Sequence, residues 1–143
     1  MSQLRLPFSS LSPAAYQGLV STSNALADSP LGKPLVELVY LRVSQINGCA
    51  FCLDMHAKAL RGAGVAQAKL DCLAGWRVSE LFDNRERAAL AWAEALTDVA
   101  HQGAPDALYE PLKGLLGDQE ISDLTFAVAL MNAFNRLAVG MRL

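Results

Sequence analysis

Apolar positions recur along this chain at helical spacing, and the residues that interrupt them are those that start and stop helices. Ser12-Pro13 reads as an N-cap followed by proline at the first helical position, opening a helix toward Leu26. Pro34 repeats that start. Leu35, Leu38, Val39 and Ile46 then form one stripe, which Asn47-Gly48 ends. A helix from Cys49 to Ala63 follows at once and stops at Gly62 and Gly64, and Ala66 to Ala74 makes a short one closed by Gly75. Asp83 with Glu86 three residues on is a capping box, continued by Ala88, Leu90, Ala91, Ala95 and Leu96 into a long helix ending near His101. Pro105 starts another, closed by Gly114 or Gly117, and the last runs from about Asp118 to Val139. No alternating β-branched run bounded by turns is present, so the predicted fold class is all-α, a compact multi-helix domain. At 143 residues, with no linker, low-complexity tract or repeat, residues 1–143 read as one domain. Such a chain can bury about 70% of its unfolded surface.

Composition narrows the function classes. The net charge of −2 offers no electrostatic footprint for nucleic acid. Apolar residues make up 52%, and the excess is expected between subunits. The first residues lack the basic, apolar and small-residue sequence of a secretory leader, and apolar runs such as Phe126 to Met131 are far short of the ~20 residues of a membrane span. A cytoplasmic location with no membrane partner is the expectation. Three cysteines do not build a disulfide scaffold, and in a reducing compartment a close pair is more often catalytic or metal-binding.

That pair is Cys49-Ala-Phe-Cys52, followed by His56, with Glu37 as the lone acid in the apolar segment upstream. Positions i and i+3 of a helix lie about 5–6 Å apart, within the span of a disulfide. At 100° per residue Cys49, Cys52, His56 and Leu60 fall within about 80° of one another. Leu53 and Ala63 lie on the same side and Asp54, Lys58 and Arg61 opposite, so the reactive face is expected to look into an enclosed apolar pocket. Both cysteines fall in the first turn, where unpaired N–H groups and the positive dipole end favour thiolate, while apolar burial opposes it. His56 can accept a cysteine proton or support the thiolate. Across the Asn47-Gly48 turn, Glu37 and His56 differ by about 4–5 Å in axial height and Glu37 and Cys52 by roughly 10 Å. The expectation is that Glu37 pairs with His56 and reaches sulfur only through that imidazole or a water.

Less reactive readings stand beside these. Two thiolates with His56 and Glu37 could make a four-ligand zinc site, but three ligands would crowd two turns of one helix and no second metal-binding pair completes the pattern. Cys72 is expected to be a buried small hydrophobe, Trp76 and Trp92 to be core, and His101 to complement a helix C-terminus. Phe51 and Met55 form an i, i+4 pair at the edge of the reactive helix, suited to the core or a subunit contact. Asn132, Asn135 and Arg136 interrupt an apolar helix and are read as structural or interfacial groups in preference to substrate binders.

Glu37, eleven intervening residues, Cys49-x-x-Cys52, three more and His56 resemble the AhpD-type alkylhydroperoxidases of the carboxymuconolactone decarboxylase family. The Ala89 to Thr97 stretch and the Asn132-x-x-Asn135-Arg136-Leu-Ala-Val stretch look familial too. The resemblance implies an all-helical homo-oligomer, a trimer or hexamer, that reduces organic hydroperoxides with no bound cofactor. By that resemblance Cys52 attacks peroxide, Cys49 resolves, and Glu37 and His56 relay the proton. An external dithiol, such as a dihydrolipoyl protein, restores the thiols. The best-studied members carry a second histidine just before the peroxidatic cysteine. Here that position is Phe51, so the relay is shorter. Two alternatives share the residues: a redox-sensing helical oligomer without steady turnover, and a decarboxylase of the same broad family, whose members lack the cysteine pair.

Overall fold

Proline and glycine set most helix boundaries where the apolar pattern puts them. The computed structural model of the protein describes residues 3–143, so Met1 and Ser2, on which the leader reading and the first positions of the 1–143 domain range fall, lie outside the described residues. Among the described residues are nine α-helices, one 3₁₀ segment and no strand: α1 Phe8–Leu11, α2 Pro13–Ala27, α3 Lys33–Asn47, α4 Ala50–Gly62, α5 Gln67–Asp71, a 3₁₀ turn Leu73–Val78, α6 Asn84–Thr97, α7 Val99–Gln102, α8 Asp106–Lys113 and α9 Asp118–Met141.

Three elements depart from the sequence reading. The segment expected as one helix from Ala66 to Ala74 is a one-turn helix followed by a 3₁₀ turn that kinks at Gly75. The helix expected to reach His101 ends at Asp98, where a short α7 begins again. The one-turn α1 carries none of the periodic signal that marks longer helices.

Helix α3 is the centre of the fold because its sequence is apolar almost all the way round. Leu35, Val36, Leu38, Val39, Tyr40, Leu41, Val43 and Ser44 are all buried, and the helix packs against α9, α4 and α6. One apolar cluster lies between α3, α6, α8 and α9 and includes Cys49 and Cys52. Another gathers Leu38, Leu41, Leu60, Leu70, Leu73, Trp76, Phe82 and Leu90 on the other side of α3. Trp76 and Trp92 are core residues, as expected. Cys72 is not buried: Leu70, Leu73 and Trp76 take the inward positions of this segment, and Cys72 falls on its solvent side. By length and composition α9 could cross a membrane, but it serves as a core helix here, with Ile121, Leu124, Ala127, Val128, Leu130 and Met131 buried against its neighbours.

Candidate functional site

The α3–α4 hairpin closes through Gly48, whose φ of 68° lies in the left-handed region that glycine enters without a steric penalty. Cys49 follows as the N-cap of α4 in extended conformation, and its sulfur accepts from the Cys52 N–H at 3.4 Å. Cys49 is therefore just outside the helix and Cys52 within its first turn. Their Cα atoms are 5.3 Å apart, their sulfurs are paired as a disulfide, and both residues are buried. The pair thus closes without unwinding α4.

Polar side chains on two other elements hold this helix start in place. The Cys49 N–H donates to the Ser44 carbonyl at 3.1 Å. Ser44 Oγ donates to the Tyr40 carbonyl at 2.7 Å and accepts from Asn135 Nδ2 at 3.0 Å. Asn47 Nδ2 reaches both Asn132 Oδ1 and Asn135 Oδ1, and Arg136 covers Asn132 from outside. Asn132 and Asn135 are therefore the structural groups they were expected to be, tying α9 to the end of α3 directly behind the cysteines.

One turn beyond Cys52, buried His56 faces back toward α3. Its Nδ1 lies 2.6 Å from Glu37 Oε2, the pairing expected from the hairpin arithmetic. A carboxylate can only accept, so Nδ1 carries the hydrogen and Nε2 presents its lone pair away from Glu37. Tyr40, one turn along α3 from Glu37, packs its ring 5.1 Å from the His56 ring, centroid to centroid. The Tyr40 hydroxyl and His56 Nε2 are both buried and have no hydrogen-bond partner among the described residues. Burial, reinforced by the nearby charge of Glu37, pushes the Tyr40 phenol well above its ordinary range, so it stays a donor.

Glu37, Tyr40, Cys52 and His56 all open onto one cavity of about 500 Å³. Its remaining wall is mostly apolar and comes in large part from distant parts of the chain, including Tyr16 of α2, Met131 and Phe134 of α9, and Leu143. Phe51 and Met55 stand at its edge, half exposed, so this pair lines the mouth instead of entering the core. Leu53 is half-buried as the helical wheel suggests, whereas Ala63, beyond the last turn of α4, is exposed. Tyr40 was missed by the sequence reading although a local signal existed, since it lies three residues from Glu37 on one face of α3. The walls from α2 and α9 carried no such signal. Among the described residues no three His, Cys, Asp or Glu side chains group closely enough to hold a metal ion.

An all-helical frame with a cysteine pair at a helix head and an acid–imidazole pair beside it defines a dithiol type of site. The chain belongs to the carboxymuconolactone decarboxylase family, whose pattern matches residues 13–95. It is similar to YdfG of Bacillus subtilis, with 30% identity over 99% of this chain and 95% of that protein. It also resembles ATU0492 of Agrobacterium tumefaciens, a protein of unknown function described as an AhpD-type candidate for antioxidant defence. That likeness has a TM-score of 0.93 and 38% identity over 98% of this chain and 96% of that one. Similarity to the alkyl hydroperoxide reductase AhpD of a Bradyrhizobium strain is more local, 45% identity across 33% of this chain and 26% of that protein.

Proposed function

We propose that this protein is a dithiol peroxidase that reduces organic hydroperoxides. The observation that carries the reading is the buried Cys49–Cys52 pair, whose Cys52 opens, beside the Glu37–His56 pair, onto a cavity lined mostly by apolar side chains. Such a wall suits the carbon skeleton of an alkyl or aryl hydroperoxide better than it suits a small hydrated peroxide.

In the reduced protein His56 Nε2 takes the Cys52 thiol proton, and Glu37 steadies the imidazolium through Nδ1. The thiolate then attacks the terminal peroxide oxygen. An S–O bond forms, the O–O bond breaks, and sulfur gives up two electrons to leave Cys52 as a sulfenic acid and the substrate as an alkoxide. The imidazolium returns its proton to that oxygen, releasing an alcohol. Cys49 displaces hydroxide from the sulfenic sulfur, closing the disulfide with loss of water. An external dithiol, for which a dihydrolipoyl protein is a fitting candidate, resets the pair by exchange. Phe51 in place of a second histidine leaves His56 as the only imidazole in this scheme. The half-exposed Phe51 and Met55 at the mouth suit a homo-oligomer, for which a trimer or hexamer is the proposed form.

The test is rapid mixing of reduced protein with cumene hydroperoxide, followed by mass measurement and by turnover with a dihydrolipoyl reductant. Steady consumption with one Cys49–Cys52 disulfide formed per alcohol released is the expected result. One oxidation with no turnover would make the protein a sensor, and no oxidation at all would end the redox reading.

A further inference from the structure

We propose that the Tyr40 hydroxyl donates a hydrogen bond to the leaving oxygen of the hydroperoxide, forming with His56 a two-donor pocket for the nascent alkoxide. The inference rests on the peroxidase reading above and assigns a role to a residue outside the Glu37, Cys49, Cys52 and His56 set.

Three observations carry it. The first is the pair of unpartnered atoms. Tyr40 Oη and His56 Nε2 are buried, bond to none of the described residues, and belong to rings 5.1 Å apart. A buried hydroxyl without a partner is disfavoured, and elsewhere in this interior comparable groups are satisfied: Asn135 bonds through both ends of its amide and Trp76 Nε1 reaches Glu94. The second is position. Both residues line the cavity onto which Cys52 opens, and Glu37 and Tyr40, three apart on α3, present their side chains to the same wall. The third is chemistry. Nδ1 of His56 is held by Glu37, leaving Nε2 as the ring atom that can exchange a proton in the cavity. The phenol, pushed up by burial and then by the charge of Glu37, remains protonated and can only be a donor to an oxyanion.

The step balances with these two groups. His56 Nε2 takes the Cys52 proton, the thiolate bonds to the terminal oxygen, and the O–O electron pair leaves with the substrate oxygen. That oxygen then faces Nε2–H and the Tyr40 O–H. The imidazolium gives its proton and becomes neutral, while Tyr40 keeps its own and contributes only the hydrogen bond. Donors placed where charge develops act more strongly in a dry site than in water, and removal of one commonly costs on the order of 100-fold in rate.

The experiment compares the wild-type protein with Tyr40→Phe in stopped-flow oxidation of Cys52, using tert-butyl hydroperoxide and peracetic acid as the two probes. The alkyl peroxide expels a strongly basic alkoxide and the peroxy acid a weakly basic carboxylate, so a donor to the leaving oxygen matters far more for the first. The expected result is a rate loss of about 100-fold on the alkyl peroxide and a loss at least several-fold smaller on the peroxy acid. The melting temperature should be equal to or above that of the wild type, because the hydroxyl removed has no partner. Equal losses on both probes, or no loss, would overturn the role, and so would a markedly lower melting temperature, which would show that the hydroxyl holds the fold. A wild-type protein inert to both peroxides would instead remove the peroxidase reading itself.

Discussion

Two carboxylates pair across the contacts of α3, Glu37 from α3 itself and Glu94 from α6, and the way each is treated separates what holds this protein together from what the proposed chemistry uses. Glu94 of α6 is buried and saturated: it accepts from Trp76 Nε1 at 2.8 Å, from Arg42 Nε at 2.8 Å and from Arg77 Nη1 at 2.5 Å. Burial alone would push its carboxyl up, but the hydrogen bonds from Trp76, Arg77 and Arg42 outweigh that and hold it below the usual glutamate range. Glu37 sits beside a ring and a phenol whose outward polar atoms have no partner among the described residues. Three donors converging on one carboxylate lock α3, α6 and the 3₁₀ turn together, whereas unpaired groups around a cavity are poised for something that enters it.

The sharpest way to break the comparison is at sulfur. Cys52→Ser should abolish peroxide consumption while leaving the melting temperature of the reduced protein within a few degrees of wild type. Cys49→Ser should still let Cys52 reach the sulfenic acid, trapped by a dimedone-type reagent, with no intramolecular disulfide. Reversed phenotypes would exchange the two roles. At the other carboxylate the pattern should invert. Glu94→Ala leaves Arg42 and the Trp76 N–H without their acceptor and should lower unfolding stability by about 3 kcal/mol in urea titration. The peroxide rate per folded molecule should stay near that of wild type. A large loss of rate in the still-folded variant would show that the two regions are coupled.

The legible part of this protein is the part built from neighbours in sequence. Pro34, Gly48 and the Asp83–Glu86 box mark helix ends through local backbone chemistry, so α3, α4 and the start of α6 follow from the chain itself. Glu37, Cys49, Cys52 and His56 lie within one helical hairpin, where a fixed rise per residue predicts the Glu37–His56 contact. Beyond the hairpin that arithmetic fails. Tyr16, Met131, Phe134 and Leu143 reach the cavity only through the docking of α2 and α9 onto α3, and no local periodicity encodes that meeting. Cys72 was misread for a related reason. A free cysteine is usually buried, but the kinked segment after α5 has room inward for Leu70, Leu73 and Trp76 only.

His56→Ala sharpens the comparison from the reactive side. It removes the proton acceptor next to Cys52, and the second-order rate of Cys52 oxidation should fall on the order of 100-fold at neutral pH. Exogenous imidazole should recover part of that loss. A rate unchanged across the pH range would take His56 out of the chemistry and leave the Glu37 pair as a packing contact.

The smallest expected effect is a pH dependence confined to Glu94. Its carboxyl in the folded protein titrates below the ordinary value of 4.5, so the unfolded chain holds the proton more tightly. The stabilisation from Glu94 is then fully present above about pH 4.5 and is lost as the pH falls through the folded value. Glu94→Gln keeps the size of the side chain and removes the titration. The variant should melt below wild type at neutral pH, and the gap between the two should close as the solution is made more acid. Asp98 and Glu120 are also held below their usual ranges, mainly by the His101 side chain for Asp98 and by the Gly117 N–H and Arg85 for Glu120, but they are unchanged in both proteins and cancel in the difference. A melting-temperature gap that stays constant, or widens, between pH 7 and pH 3 would mean that the fold does not hold the Glu94 carboxyl below its ordinary value, and the contrast between a saturated structural carboxylate and a poised one would fail at its structural end.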